Sequence, residues 1–347
     1  MSKSCCCCCC TRWWHEEFLP TKDDGKSELK TSIKMALPTL VTNSSVYFMS
    51  LVNISFLGHL GSTELAGASM AIMLLNVCLA FATGLLCAID TMSSQAVGAG
   101  NTRKVGIILQ RSLLIVTVFA IPAIFIYCFA EPILKALGQT EGVSKKGAEY
   151  SQILAISIIP MYYNEALKRS LIAAGIVVPQ MISGVVNIGL VALLDYLFIN
   201  VFDWGFKGAA VALTAVYFVQ PLVVLSIITI SGLYKKIWSG WSKECFHDIW
   251  PVLKLGIPGM LMMGAEWSAF EAAAIFAGII GENELSGYSV LYNTQSLCFT
   301  VPLTLSIVAS TRVGQNLGAG KPRMARFCTY AFMGNIIIIY FIILFYF

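Results

Sequence analysis

QAVGAGNTRK at residues 95–104 and QNLGAGKPRM at residues 315–324 share a Gly-Ala-Gly set three residues behind a glutamine, 220 positions apart. Extending that offset needs no gap. Lys34 falls on Lys254, Pro38 on Pro258, Gly58 on Gly278, Glu64 on Glu284, Gly67 on Gly287, Thr91 on Thr311 and Arg103 on Arg323. Self-similarity at a fixed offset signals a duplicated structural unit, so the next question is what lies inside each copy.

The units are apolar. Hydrophobic residues make up 57% of the 347 and charged residues 12%, with mean hydropathy +0.75; a soluble domain is about 25% charged. Runs long enough to cross a bilayer fall at about 35–57, 66–92, 106–130, 151–173, 177–201, 207–232, 250–281, 285–314 and 326–347. These runs are too long and too uniformly apolar for barrel strands, which are about ten residues of alternating polarity. The fold class expected is therefore an all-α polytopic membrane protein of about nine transmembrane helices. Spans one and two recur as seven and eight with six spans from one copy to the next, so the copies share one orientation. That is a parallel repeat of two lobes about an axis along the membrane normal, with a complete six-helix first lobe and an incomplete second.

Charge orients the bundle. Lys22, Lys26, Lys30 and Lys34 precede span one, Arg103 and Lys104 follow span two, and Lys168 and Arg169 follow span four. Lys235, Lys236 and Lys243 follow span six, and Lys321, Arg323 and Arg326 follow span eight. By the positive-inside rule these lie with the N-terminus in the cytoplasm. Lys135, Lys145 and Lys146 depart from the pattern, offset by Glu131, Glu141 and Glu149. The segments expected are a cytoplasmic low-complexity leader at 1–33, a first lobe at 34–233, an inter-lobe loop at 234–249 and a partial second lobe at 250–347. A second lobe of six spans would need three more, so the chain reads as truncated after the ninth helix. The leader has no signal-peptide pattern. Its run Cys5–Cys10 lacks zinc-ligand spacing and reads as low-complexity sequence, with S-acylation as the alternative.

The chemistry concentrates in LMMGAEWSAFEAAAIFAGIIG, residues 261–281, a span carrying Glu266 and Glu271. A charge near the bilayer centre costs roughly 2.5–3.5 kcal/mol on insertion scales, so such residues face a cavity, a partner or a proton. Five residues is about 140° around a helix after one full turn, and the two acids do not share a face. Their equivalents under the offset are Val46 and Leu51, so the acids belong to one copy only. Trp267, Phe270, Tyr292 and Phe299 could offer aromatic faces to a cation, and Met262 and Met263 adaptable apolar contact. Glu165 is expected to pair with Lys168 and Arg169 on its own helix, and Asp90 to make a packing or gating contact. Asp195 reads as either functional or facing the headgroups.

The Q-x-x-GAG ends, GHLG-x-x-x-LAG at 58–67, GIVVPQ at 175–180 and AEWSAFE at 265–271 resemble the MATE family, multidrug and toxic compound extrusion, in its eukaryotic branch. The resemblance runs over about residues 30–347. It implies a two-lobe antiporter of twelve helices exporting organic, often cationic, small molecules in exchange for H+ or Na+. Glu266 matches the acid of the family's EWW-type motif, with Trp267 in the first aromatic position and Ser268 replacing the second. Glu271 matches the acid used by bacterial members. Asp195 matches the acid of the LDP-type stretch, with Asn187 as its polar neighbour and Tyr196 replacing the proline. Asn53 stands where many bacterial members have Asp. An amide cannot titrate, which shifts the proton role toward Glu266 and Glu271. The acidic partner supplied by the family's helix ten lies beyond the residues present.

An enzyme is disfavoured, because His15, His59 and His247 lie in loops or the leader and no nucleophile elbow or Walker loop occurs. A receptor does not explain the parallel repeat. A lipid or oligosaccharide flippase of the same superfamily, or a non-transporting fragment, remain the alternatives. No cofactor, metal or nucleic-acid partner is expected; the partners are the substrate, the coupling ion and the bilayer of a plasma or vacuolar-type membrane.

Overall fold

The computed structural model describes residues 22–238, 240–280 and 282–346, and these are helical with no strand among them. The helices are α1 Lys22–Gly58, α2 Ser62–Gly98, α3 Thr102–Cys128, α4 Ala130–Ala136, α5 Glu141–Ala155, α6 Ile158–Ala173, α7 Val178–Asp195, α8 Gly205–Ile230, α9 Ile249–Ile280, α10 Glu282–Gly318 and α11 Pro322–Tyr346. Each expected span finds its helix among the described residues, with α5 and α6 together forming the fourth. Among the described residues, five helical stretches are long and apolar enough to cross a membrane by length and composition, at 25–58, 63–98, 102–128, 178–201 and 205–230.

Local chemistry explains the ends and breaks. Asn101 caps α3 by accepting from the Lys104 amide at 3.0 Å, which satisfies one of the free donors of a helix start. The fourth span is interrupted at Ile156–Ser157 because Pro160 lacks an N–H and its ring collides with the carbonyl four residues earlier; Ser157 Oγ instead donates to the Leu154 carbonyl at 2.7 Å. The fifth span finishes in a π-helical turn, Tyr196–Val201.

The first helix departs from expectation. Its described part reaches back to Lys22, and Glu28, assigned to the low-complexity leader, is 8% exposed. Residues 1–21, with Cys5–Cys10, lie outside the described residues. The linker between lobes is also more ordered than a plain loop, with 3-10 turns at Leu233–Lys236 and Lys243–Phe246. Two of the three lysines that broke the charge pattern are paired: Lys135 with Glu131 at 2.8 Å and Glu141 at 4.0 Å, and Lys146 with Glu64 at 3.4 Å.

The lobes meet through the repeat itself. The main contacts are α2 with α9, α1 with α10, and α2 with α10; the first two interconvert under the 220-residue offset, and the third maps onto itself. At that crossing, a Cβ on Gly98 would strike the Gln315 carbonyl, and one on Gly318 would strike the Gln95 carbonyl. The duplicated glycines thus oppose the duplicated glutamines reciprocally. Between α2 and α9, a Cβ on Gly259 would lie 2.6 Å from the Gly84 carbonyl. Lipid tails supply no hydrophobic drive between helices, so close backbone packing through small residues takes its place.

Candidate functional site

Two polar centres sit within this frame. The first is inside the six-helix lobe, where Asn53 of α1, Tyr150 of α5 and Asp195 at the end of α7 are all fully buried. Tyr150 Oη donates to Asn53 Oδ1 at 2.9 Å, and Asn53 Nδ2 donates to both Asp195 oxygens at 3.1 Å. Asp195 is 0% exposed, which removes the reading that it faces headgroups. Among the described residues no cationic side chain pairs with it. Asn187 is buried two turns earlier on the same face, with Nδ2 3.5 Å from Ser183 Oγ and no partner for Oδ1 among the described residues. Gln180, also buried on that face, has neither side-chain amide atom partnered among them. A stripe of buried polar groups therefore runs down α7 to Asp195.

The second centre lies between the lobes. Glu266, Trp267 and Phe270 of α9, Gln295, Ser296 and Phe299 of α10, and Tyr47 of α1 line a small recess of about 20 Å3. Glu266 is exposed within it. Three of the four aromatic residues expected around Glu266 gather there; the side chain of Tyr292 lies outside the described residues. Glu271 is half-buried and is not among the lining residues, as the 140° separation requires. Tyr47 was missed, although the signal was available, since the 220-residue offset places Tyr47 on Trp267. The two copies of one aromatic position face a shared recess.

Two ion clusters tie helices together elsewhere in the bundle. Arg169 on α6 bonds Asp90 on α2 and Glu165 at 3.1 Å, and Lys168 reaches Glu165 at 2.6 Å. This matches the local pairing expected for Glu165 and identifies the partner of Asp90. At the basic end of the bundle, Glu28 accepts from Arg312 at 2.5 and 2.7 Å and from Asn316 at 3.3 Å, tying α1 to α10. Gln315 Nε2 donates to the Ala173 carbonyl at 2.7 Å, a further tie between lobes. Sequence reasoning did not find the Glu28–Arg312 pair, because 284 residues separate its members.

An acid among aromatic faces suits a cation, and a buried acid without a counter-cation suits a proton. Comparison with known proteins gives the family. The MatE family profile matches residues 38–197 and 258–347. Multidrug and toxin extrusion protein 1 of Danio rerio is 34% identical over 302 residues, covering 87% of this chain and 51% of that protein. The Homo sapiens protein of the same name is 33% identical over 302 residues, covering 87% and 53%. The chain spans about half the length of these curated relatives. Among solved structures it superposes on the eukaryotic MATE transporter AtDTX14 with TM-score 0.84 and 27% identity, covering 89% of this chain and 70% of that one. With its profile matched over both copies of the repeat, this chain belongs to the MatE family of multi-pass membrane transporters.

Proposed function

We propose that the chain acts in secondary antiport, exporting organic cationic or amphipathic compounds in exchange for protons, with sodium the less favoured coupling ion. The observation that carries this reading is the recess at Glu266, where one carboxylate stands among Tyr47, Trp267, Phe270 and Phe299. A desolvated organic cation gains both charge neutralisation and cation–π attraction in such a place. Asp195, buried on an amide donor that cannot titrate, supplies a second acid for the proton. Competition of proton and substrate for carboxylates is the simplest form of exchange. Alternating access requires the α2–α10 crossing to part. The positive-inside pattern supports a cytoplasmic N-terminus, and the acidic recess favours organic cations over the anionic cargo of a flippase. The host membrane is of plasma or vacuolar type.

The test is efflux of a fluorescent organic cation from proteoliposomes under an imposed pH gradient, run on this chain and on one extended to its relatives' length. Glu266→Gln is expected to lower flux at least about 10-fold, the scale of one lost charge-assisted contact. Asp195→Asn is expected to abolish the response to the gradient. Glu271→Gln, off the recess, is expected to do less than Glu266→Gln. Flux that survives Glu266→Gln and Asp195→Asn unchanged would sink the site. Flux confined to the extended chain would favour the non-transporting-fragment reading.

A further inference from the structure

The turn Leu233–Lys236, which closes span six at the basic end, borders a groove on the flank of the six-helix lobe. The groove encloses about 580 Å3 and is walled by Leu109 of α3, Pro160 of α6, Phe218 and Ile228 of α8, and Tyr234 and Trp238 of the turn and its continuation. The lobes meet mainly through α1 and α2 on one side and α9 and α10 on the other, so the groove lies away from the proposed transport site. Its α8 wall is apolar and partly exposed, with Phe218 42%, Leu222 59% and Leu225 44% accessible. In a bilayer that wall meets lipid.

The dimensions select an acyl chain. The α8 wall runs from Phe218 to Thr229, which at 1.5 Å per residue is about 16 Å. That is about half of a ~30 Å hydrocarbon core, the depth of one leaflet. Pro160 and Pro221 line its deeper part, and the break that Pro160 imposes leaves room between α6 and α8.

The charges select the headgroup. Lys235 and Lys236 are exposed in the turn that borders the groove's shallow end. The nearby acids of the linker are engaged elsewhere: Glu244 pairs with Arg103 at 2.5 Å and Asp248 with Arg111 at 3.9 Å, both on α3. Among the described residues neither lysine has a carboxylate partner. Trp238 and Trp241 stand edge to face with centroids 5.0 Å apart, and Trp241 is 76% exposed. Aromatic rings beside lysines mark the level of the bilayer interface.

We propose that this groove binds one glycerophospholipid with an anionic headgroup, its acyl chain along α8 and its phosphate at Lys235 and Lys236. The site needs only the membrane-spanning fold and stands independently of the transport reading. It also places a lipid against the linker that joins the two lobes.

Native mass spectrometry of the purified full chain, titrated with phosphatidylglycerol or phosphatidylcholine, tests it. Phosphatidylglycerol is expected to be retained more strongly. Lys235→Gln with Lys236→Gln is expected to weaken its binding about 30-fold, the effect of two interfacial charges, while phosphatidylcholine binding stays the same. Leu222→Trp, which fills the groove from a lipid-exposed position, is expected to lower retention of both lipids. Equal retention of the two lipids by the unmodified chain overturns the proposal. So does a preference that persists without the lysines, which would place the headgroup elsewhere. Full retention in Leu222→Trp would mean that the tail does not use the groove. Unchanged size-exclusion profiles and helical circular dichroism establish that the variants are folded.

Discussion

Arg169→Leu is expected to be among the most destabilising single substitutions in this protein. The guanidinium is the shared partner of Asp90 on α2 and Glu165 on its own helix, with its side chain 13% exposed and those of the two acids 17% and 10%. Among the described residues, removing it leaves two carboxylates with only Lys168 beside Glu165 and no ion-pair partner beside Asp90. Breaking a buried pair from one side costs about 3–5 kcal/mol, because the charge left behind is no longer compensated. For a chain of this size that corresponds to a fall in melting temperature of roughly 4–7 °C. The measurement is thermal unfolding in detergent, followed by thiol-reactive fluorescence or by loss of the monodisperse peak. Arg169→Lys is expected to recover part of the loss, since the charge remains but the planar fork that reaches two acids does not. The pair Arg169→Leu with Asp90→Leu is expected to be more stable than Arg169→Leu alone, because members of one ion cluster are not additive. A melting point for Arg169→Leu within about 2 °C of the unmodified chain would show that the cluster contributes little.

Gly98→Val together with Gly318→Val is expected to push the basic ends of the lobes apart. Each Cβ would strike a main-chain carbonyl of the opposite helix, Gln315 for Gly98 and Gln95 for Gly318. A carbonyl in a helix cannot swing aside as a side-chain tip can. Overpacking at one such point costs about 1–3 kcal/mol, and two related points act on the same crossing. Spin labels at Asn101, in the α2–α3 turn, and Lys321, in the α10–α11 turn, would report the separation by double electron–electron resonance. The expected result is a longer mean distance in the double variant and an intermediate one in either single variant. An unchanged distance distribution would show that the contact does not hold the lobes together. The Glu28–Arg312 and Gln315–Ala173 bonds span the same region, so Glu28→Gln should lengthen the distance in the same direction, but less.

Much of the candidate site is legible in the chain itself, for reasons that differ by residue. Glu266 stood out because a carboxylate inside an apolar span needs a cavity, a partner or a proton, and its recess proved to hold Trp267, Phe270 and Phe299 as expected. Tyr47 was written in the repeat offset but has no chemistry that draws the eye. Asp195 was ambiguous, since a residue late in a span can face lipid, headgroups or the core; its contact with Asn53 lies 142 residues away along the chain. Asn53 had counted against a proton role for the first lobe because an amide does not titrate. In the fold it is the donor that holds Asp195, so the same residue supports the acid it seemed to replace. Glu28 was hidden by its surroundings, a stretch rich in Lys, Asp and Ser that reads as leader until Arg312 is brought to it.

By itself the sequence determined the solvent, the helices and the duplication. Apolar run length, loop charge and a fixed 220-residue offset are properties of the chain as a line, and a bilayer admits few ways to satisfy them. Only the tertiary structure decided which polar groups meet. Asn53 with Asp195, Asp90 with Arg169, Glu28 with Arg312 and Tyr47 with Glu266 are each joined across 79 to 284 residues, or across the lobes, by helix packing. Between the lobes that packing depends on glycine faces whose partners are backbone atoms, and backbone atoms look the same at every position of a sequence.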